Sequence, residues 1–187
     1  KILEFNSRLP EAIRGDFGAQ VACLRTGEKC VRDIFRKYGK PKVLGAIEEF
    51  FEHAHQKTLA ALKDLPKGTW SAEEWLDDDG ITDDRILMAV DVTITDDRFV
   101  VDYNRSASQV AGPVNATIGG TTSMAKTYFK FLTSPDAPSN HGNYVALDVR
   151  ADPGNLFHAV YPAATYMPWT KMVAFELIAK ALAQDPD

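Results

Sequence analysis

The sequence predicts an α+β domain with a helical N-terminal third, a β-hairpin-based antiparallel sheet and flanking C-terminal helices. Three observations carry this. Apolar residues recur at helical spacing between Pro10 and Leu65, and they alternate strictly between Ile86 and Tyr103. From Gly112 onward, loops rich in Gly, Asn and Thr lead into further helical stretches. The chain divides into a helical part, about 6–66, and a mixed α/β part, about 67–187, forming a single domain or a fragment of a larger protein.

Ile13, Phe17, Val21 and Leu24 fall on one helical face, and Gly27 is placed to end that helix. Val31, Ile34, Phe35 and Tyr38 make a second face, with Gly39 as its stop and Pro41 restarting the chain. From Val43 the pattern strengthens through Ile47, Phe50, Phe51, Ala54, Thr58, Leu62 and Leu65, a long amphipathic helix ended by Pro66 and Gly68. Ile86, Met88, Val90, Val92 and Ile94 then alternate strictly, with Asp91 and Thr93 pointing the other way. "TDDR" reads as a turn, and Phe99, Val101 and Tyr103 resume the alternation, so the segment is a hairpin. A helix with Ala125, Tyr128, Phe129 and Leu132 on its apolar side ends the stretch 112–132. A short strand around Val145–Val149 and a final helix from about Pro168 to Gln184 complete the series.

Composition narrows the function. The chain is 45% hydrophobic and 25% charged, ordinary for a folded protein. A net charge of −5 offers no basic field for a nucleic-acid backbone, so nucleic acid is not an expected partner. No apolar run approaches the ~20 residues that span a bilayer. Cys23 and Cys30, seven apart on a helical stretch and without a CxxC motif, read as buried thiols in a reducing compartment, hence a cytoplasmic location. The chain opens "KILEFN", with neither initiator Met nor signal peptide, and reads as cut from something longer.

Few residues suggest chemistry by themselves. In "WLDDDGI" the aspartates fail the calcium-loop spacing: with Gly80 as sixth position, the first and twelfth would be Trp75 and Ile86. The favoured reading is a turn, with Asp accepting local backbone hydrogen bonds and Gly supplying positive φ. His53 and His55 point to nearly opposite sides of a helix, and His141 and His158 are isolated in sequence. If Asp96–Asp97 is the hairpin tip, Asp91 lies opposite Asp102, making this pair the weak metal candidate. Arg105, a cation or a shared proton would relieve the repulsion, and a bulge that shifts the register is the favoured alternative. "GPVNATIGGTTS" precedes a helix and resembles an anion cradle. No Gly-Lys-Ser/Thr follows, so Asn115, Thr121 and Thr122 read rather as helix caps. Neither a Gly-x-Ser-x-Gly elbow nor a marked nucleophilic cysteine is present.

The order of short motifs goes further. "FNSRLPEAIRGDFGAQVA" (Phe5–Ala22), "YG" (Tyr38–Gly39), "LPKGTWSAEEWLDDDG" (Leu65–Gly80), "VDYNRSASQVAGPVNA" (Val101–Ala116), "NHGNY" (Asn140–Tyr144) and "YPAAT" (Tyr161–Thr165) stand in sequence. Together they resemble the hydantoinase B/oxoprolinase family, whose members include N-methylhydantoinase B-type subunits and relatives of acetone and acetophenone carboxylases. The resemblance implies part of the substrate-handling subunit of an ATP-dependent hydrolase that opens hydantoins, 5-oxoproline or lactams. The alternatives are part of a ketone carboxylase and a non-catalytic assembly module that docks the ATP-binding partner. It further implies a hydantoinase A-type ATP-binding partner, the remainder of a hydantoinase B-type polypeptide, and a small cyclic amide or ketone as substrate. Divalent metal and ATP belong to the full complex; no cofactor is expected on this stretch, and the family's His/Asp metal-binding stretch lies upstream of "NSRLP". Alone, the fragment is expected to be inactive. Polar residues at motif positions, Arg8, Asp16, Gln20, Asn115, Asn140 and His141, are the candidates to line the active-site side or a subunit interface.

Overall fold

The structure, a computed structural model, describes residues 1–7, 9–165 and 167–184. Two compact units divide at residue 50, Lys1–Glu49 and Phe50–Asp187.

The first unit holds α1 (Ile2–Phe5), α2 (Pro10–Tyr38) and the start of α3 (Lys40–Asp64). Pro10 opens α2, where its missing N–H costs nothing, and Gly39 closes it at φ 81°, a conformation that suits glycine. Gly27 does not end the helix as expected. A glycine costs a helix roughly 1 kcal/mol, and good helix formers on both sides carry the hydrogen-bond ladder through it. No residue of α2 is buried, and Cys23 and Cys30 are exposed rather than buried thiols, because nothing among the described residues packs over their positions. Arg14 Nε donates to Glu4 Oε1 at 2.6 Å, tying α1 to α2.

The second unit is a four-stranded sheet in the order β1 (Gly68–Leu76), β2 (Ile86–Ile94), β3 (Phe99–Asp102), β4 (Leu147–Arg150), with α4 (Ile118–Thr133) and α5 (Trp169–Leu182). The α+β class holds. β1/β2 and β2/β3 are antiparallel, but β4 joins β3 in parallel, so the sheet is mixed. A parallel neighbour needs a crossover, and the segment that returns the chain contains α4. Trp70 and Ala72, Met88 to Ile94 at alternate positions, and Phe99, Val101 and Tyr103 form one buried layer. Ala125 and Phe129 of α4, and Ala174, Leu177, Ile178 and Ala181 of α5, complete the core, with Leu62 of α3. The Phe129 ring lies 5.1 Å from Phe99, and Phe157 lies 4.5 Å from Tyr103, both tilted as their quadrupoles prefer.

β1 was not expected from the alternation. Glu74 occupies an inward position near the end of this edge strand and is neutralised by Lys180 of α5, which also donates to the Glu73 carbonyl. The sheet's other face is polar, carrying Thr69, Ser71 and Glu73 on β1, Asp91 and Thr93 on β2, and Asp102 on β3.

Candidate functional site

Three of the quoted motifs meet in one loop cluster of the second unit. In "DDDG", Asp79 is 3% exposed. Its Oδ1 accepts the N–H groups of Ile81 and Thr82 at 2.9 and 2.8 Å, and its Oδ2 accepts that of Gly112 at 2.9 Å. The turn reading of the aspartates therefore holds, and Asp79 adds a tie to the "GPVNA" loop. Hydrogen bonds from Thr82, then Gly112 and Ile81, hold its carboxyl below the usual range. A Cβ on Gly112 would stand 1.8 Å from the Asp79 carbonyl oxygen, so only glycine permits this approach. Asn115, fully buried, accepts from Val110 N–H and donates to the carbonyls of Val110, Gly112 and Ala164, the last inside "YPAAT". Its amide is consumed by backbone, and the cap of α4 is instead Thr117, whose hydroxyl accepts Gly120 N–H at 3.2 Å. Thr121 turns inward and donates to Phe157 O at 2.7 Å. Tyr161 and Pro162 are joined by a cis peptide, and Tyr161 is almost fully exposed.

Beside this cluster lies the polar sheet face. Asp91 does stand opposite Asp102, in regular register rather than across a bulge. Arg105 resolves the repulsion: its Nε donates to Asp91 Oδ2 at 2.9 Å and its Nη1 to Glu73 Oε1 at 2.6 Å. Ser71 donates to Asp91 Oδ1 at 2.6 Å. The two carboxylates, Asp91 first, raise the Arg105 pKa further, so the guanidinium stays charged. Asp102 accepts Asn104 N–H, and Asn104 Oδ1 accepts Asp152 N–H. Ser106 reaches over the sheet and bonds both backbone groups of Ala89, at 2.9 Å each.

The "NHGNY" segment lies elsewhere, as a 3₁₀ turn (His141–Tyr144). Asn140 caps it, accepting Gly142 N–H at 2.8 Å, while Asn143 accepts Asn140 N–H at 2.9 Å. His141 is exposed and meets the Phe51 ring edge-on at 5.7 Å. Asp16 and Gln20 are exposed on α2. Arg8 lies outside the described residues. Within the second unit the candidates divide: Asn115 belongs to the loop cluster, and Asn140 and His141 to the 3₁₀ turn. Asp79, Gly112 and Arg105 are the residues that sequence reasoning undervalued; the signal for the first was a carboxylate beside Gly80 inside a motif.

Clefts lined by described residues open on the second unit. One, about 260 Å³, is lined by His55, Leu59, Asp97, Arg98, Val145 and Ala146. Another, about 310 Å³, has Trp75, Leu76, Met88 and Val173 as apolar lining, with Glu74, Glu176 and Lys180 at its edge. Among the described residues no three His, Cys, Asp or Glu side chains are grouped to hold a metal ion, and no helix is long and apolar enough to cross a membrane.

A family model described as hydantoinase B/oxoprolinase matches residues 1–187. The chain is 32% identical over 197 residues to the B component of the "Putative D-/L-hydantoinase" of Pseudomonas sp. strain NS671, covering 98% of this chain and 33% of that protein. It is 28% identical over 163 residues to the beta component of the caprolactamase of Pseudomonas jessenii, covering 87% of this chain and 28% of that one. In fold it is similar to the ATP-dependent caprolactamase of Pseudomonas jessenii, with TM-score 0.78, 24% identity, and coverage of 94% of this chain and 31% of that one. It is also similar to a nucleotide-free acetone carboxylase, with TM-score 0.72, 17% identity, and coverage of 82% and 22%. The chain spans about a third or less of the length of these proteins.

Proposed function

The chain belongs to the hydantoinase B/oxoprolinase family, and we propose that it is part of the substrate-handling subunit of an ATP-dependent enzyme that opens cyclic amides. The observation that carries this reading is the pair of relatives named for a hydantoinase and a caprolactamase, since hydantoins and caprolactam share a ring amide. A ring amide is a poor electrophile, and ATP, bound by a hydantoinase A-type partner, supplies the phosphoryl group that activates its oxygen.

In this reading the chain contributes position rather than the reacting groups. The Asp79–Gly112–Asn115 cluster rigidifies three loops through backbone hydrogen bonds, and the Arg105 network fixes the polar sheet face beside them. His141, exposed and free of backbone duties, remains the motif side chain best suited to meet substrate or a neighbouring polypeptide. The likeness to acetone carboxylase supports the second reading, part of a ketone carboxylase.

The test is ATP turnover by the complete complex with hydantoins, 5-oxoproline and caprolactam in one arm, and acetone or acetophenone with bicarbonate in the other. Stimulation by a cyclic amide, with release of the ring-opened acid, is expected. Stimulation only by ketone and bicarbonate selects the carboxylase, and stimulation by neither leaves the assembly module. In the same complex, His141→Ala is expected to lower turnover at least tenfold with an unchanged melting temperature.

A further inference from the structure

The "NHGNY" segment is fastened to α3, and every contact that does so lies within the second unit. A Cβ on Gly142 would stand 1.9 Å from the Phe51 carbonyl oxygen, so the turn lies directly against the helix backbone. The φ of Gly142 is not in the left-handed region, so space rather than backbone conformation demands glycine here. Asn140 Nδ2 donates to Phe50 O at 3.4 Å. The hydroxyl of Thr58, fully buried, donates to Asn143 O at 3.4 Å. Across the turn, Asn140 Oδ1 accepts Gly142 N–H, Asn143 Oδ1 accepts Asn140 N–H, and Asn143 Nδ2 donates to Ser134 Oγ at 3.3 Å. Both asparagine side chains are thus consumed in holding the turn. His141 differs. Its ring is exposed and packs edge-on against Phe51, and no hydrogen bond from the described residues engages its ring nitrogens.

We propose that Asn140, Gly142 and Asn143 are positioning residues for His141. The helix supplies the rigid reference. α3 buries Ala54, Thr58 and Leu62, and Leu62 belongs to the core shared with the sheet. The turn inherits that rigidity through Gly142 and the two asparagines, which fix the backbone on both sides of His141. An imidazole on a free loop would sample many placements, and each would have to be given up before reaction. Here its backbone is set in advance, and the Phe51 ring limits the side chain further. The role of His141 toward substrate rests on the proposed function. The fastening of the turn to α3 does not.

The test uses the complete complex and whichever substrate stimulates its ATP turnover. Gly142→Ala should lower turnover about tenfold, and hydrogen exchange read by mass spectrometry should quicken along 50–58. His141→Ala should lower turnover and leave that exchange unchanged. With both changes in one chain the loss should equal that of His141→Ala alone, because a positioning residue acts only through the group it positions. Asn140→Ala should also lower turnover, and Asn140→Asp, which keeps an oxygen for Gly142 N–H, should restore most of it. Should Gly142→Ala not assemble, the Asn140 pair combined with His141→Ala decides in the same way. Losses that multiply in the double variants would mean a merely structural role and overturn the proposal, as would unchanged exchange along 50–58 in Gly142→Ala. Full turnover in Gly142→Ala and Asn140→Ala, with His141→Ala impaired, would overturn the positioning alone and leave the proposed function standing. Full turnover in His141→Ala would remove the substrate role of His141 and the positioning with it.

Discussion

Asp79 and Gly112 show how little space separates a motif from its failure. Any side chain at 112 drives into the Asp79 backbone, so the loops must part and the Gly112 N–H loses its carboxylate. Gly112→Ala should therefore cost about 2 kcal/mol or more in urea unfolding, although alanine is otherwise the mildest substitution. The Asp79 carboxyl is depressed in the fold, so its contribution is present above the ordinary carboxylate range and is lost as pH falls through the lowered value. Asp79→Asn should lower the melting temperature at neutral pH and flatten its fall below about pH 4. An acid limb as steep as that of the parent would refute the role given to this carboxylate. Arg105 is part-exposed, so its ion pairs are worth little individually. It also neutralises Asp91, which stands opposite Asp102. Arg105→Ala should cost about 1 kcal/mol, and Asp91→Asn in the same chain should recover part of the loss by removing the like charge.

At the scale of elements, the burial of Phe129 against Phe99 implies a loss of about 3–5 kcal/mol for Phe129→Ala, measured by denaturant midpoint. In contrast, Gly18→Ala on exposed α2, where a Cβ meets nothing, should add helical ellipticity and about 0.5–1 kcal/mol of local helix stability. These two outcomes separate elements held by packing from elements held by their own backbone. Periodicity reveals the second kind as well as the first, which is why α3, α5 and the β2–β3 hairpin were legible, although the favoured register-shifting bulge gives way to Asp91 directly opposite Asp102. It does not reveal neutralisation at a distance. β1 was hidden because Glu74 points inward and its partner, Lys180, is 106 residues away. The direction of β4 was hidden because only the crossover through α4 decides it. Of the candidate site, the motif residues were visible but their duties were not: Asn115 serves four backbone groups that come from loops separated in sequence.

Across the whole molecule the apolar burial is uneven, and local stability should follow it. Leu62 and the sheet, α4 and α5 residues that complete the core all lie within Phe50–Asp187, whereas α2 buries none of its residues. Amides of a helix without packing open by fraying, at a free energy far below global unfolding. Hydrogen exchange at low protein concentration should therefore be fast along 10–38 and slow in β2 and α5, the latter exchanging only by global unfolding. Protection in β2 and α5 comes from the core that they share. Protection along α2 as strong as that of β2 would mean that the uneven distribution of burial does not govern how the molecule opens.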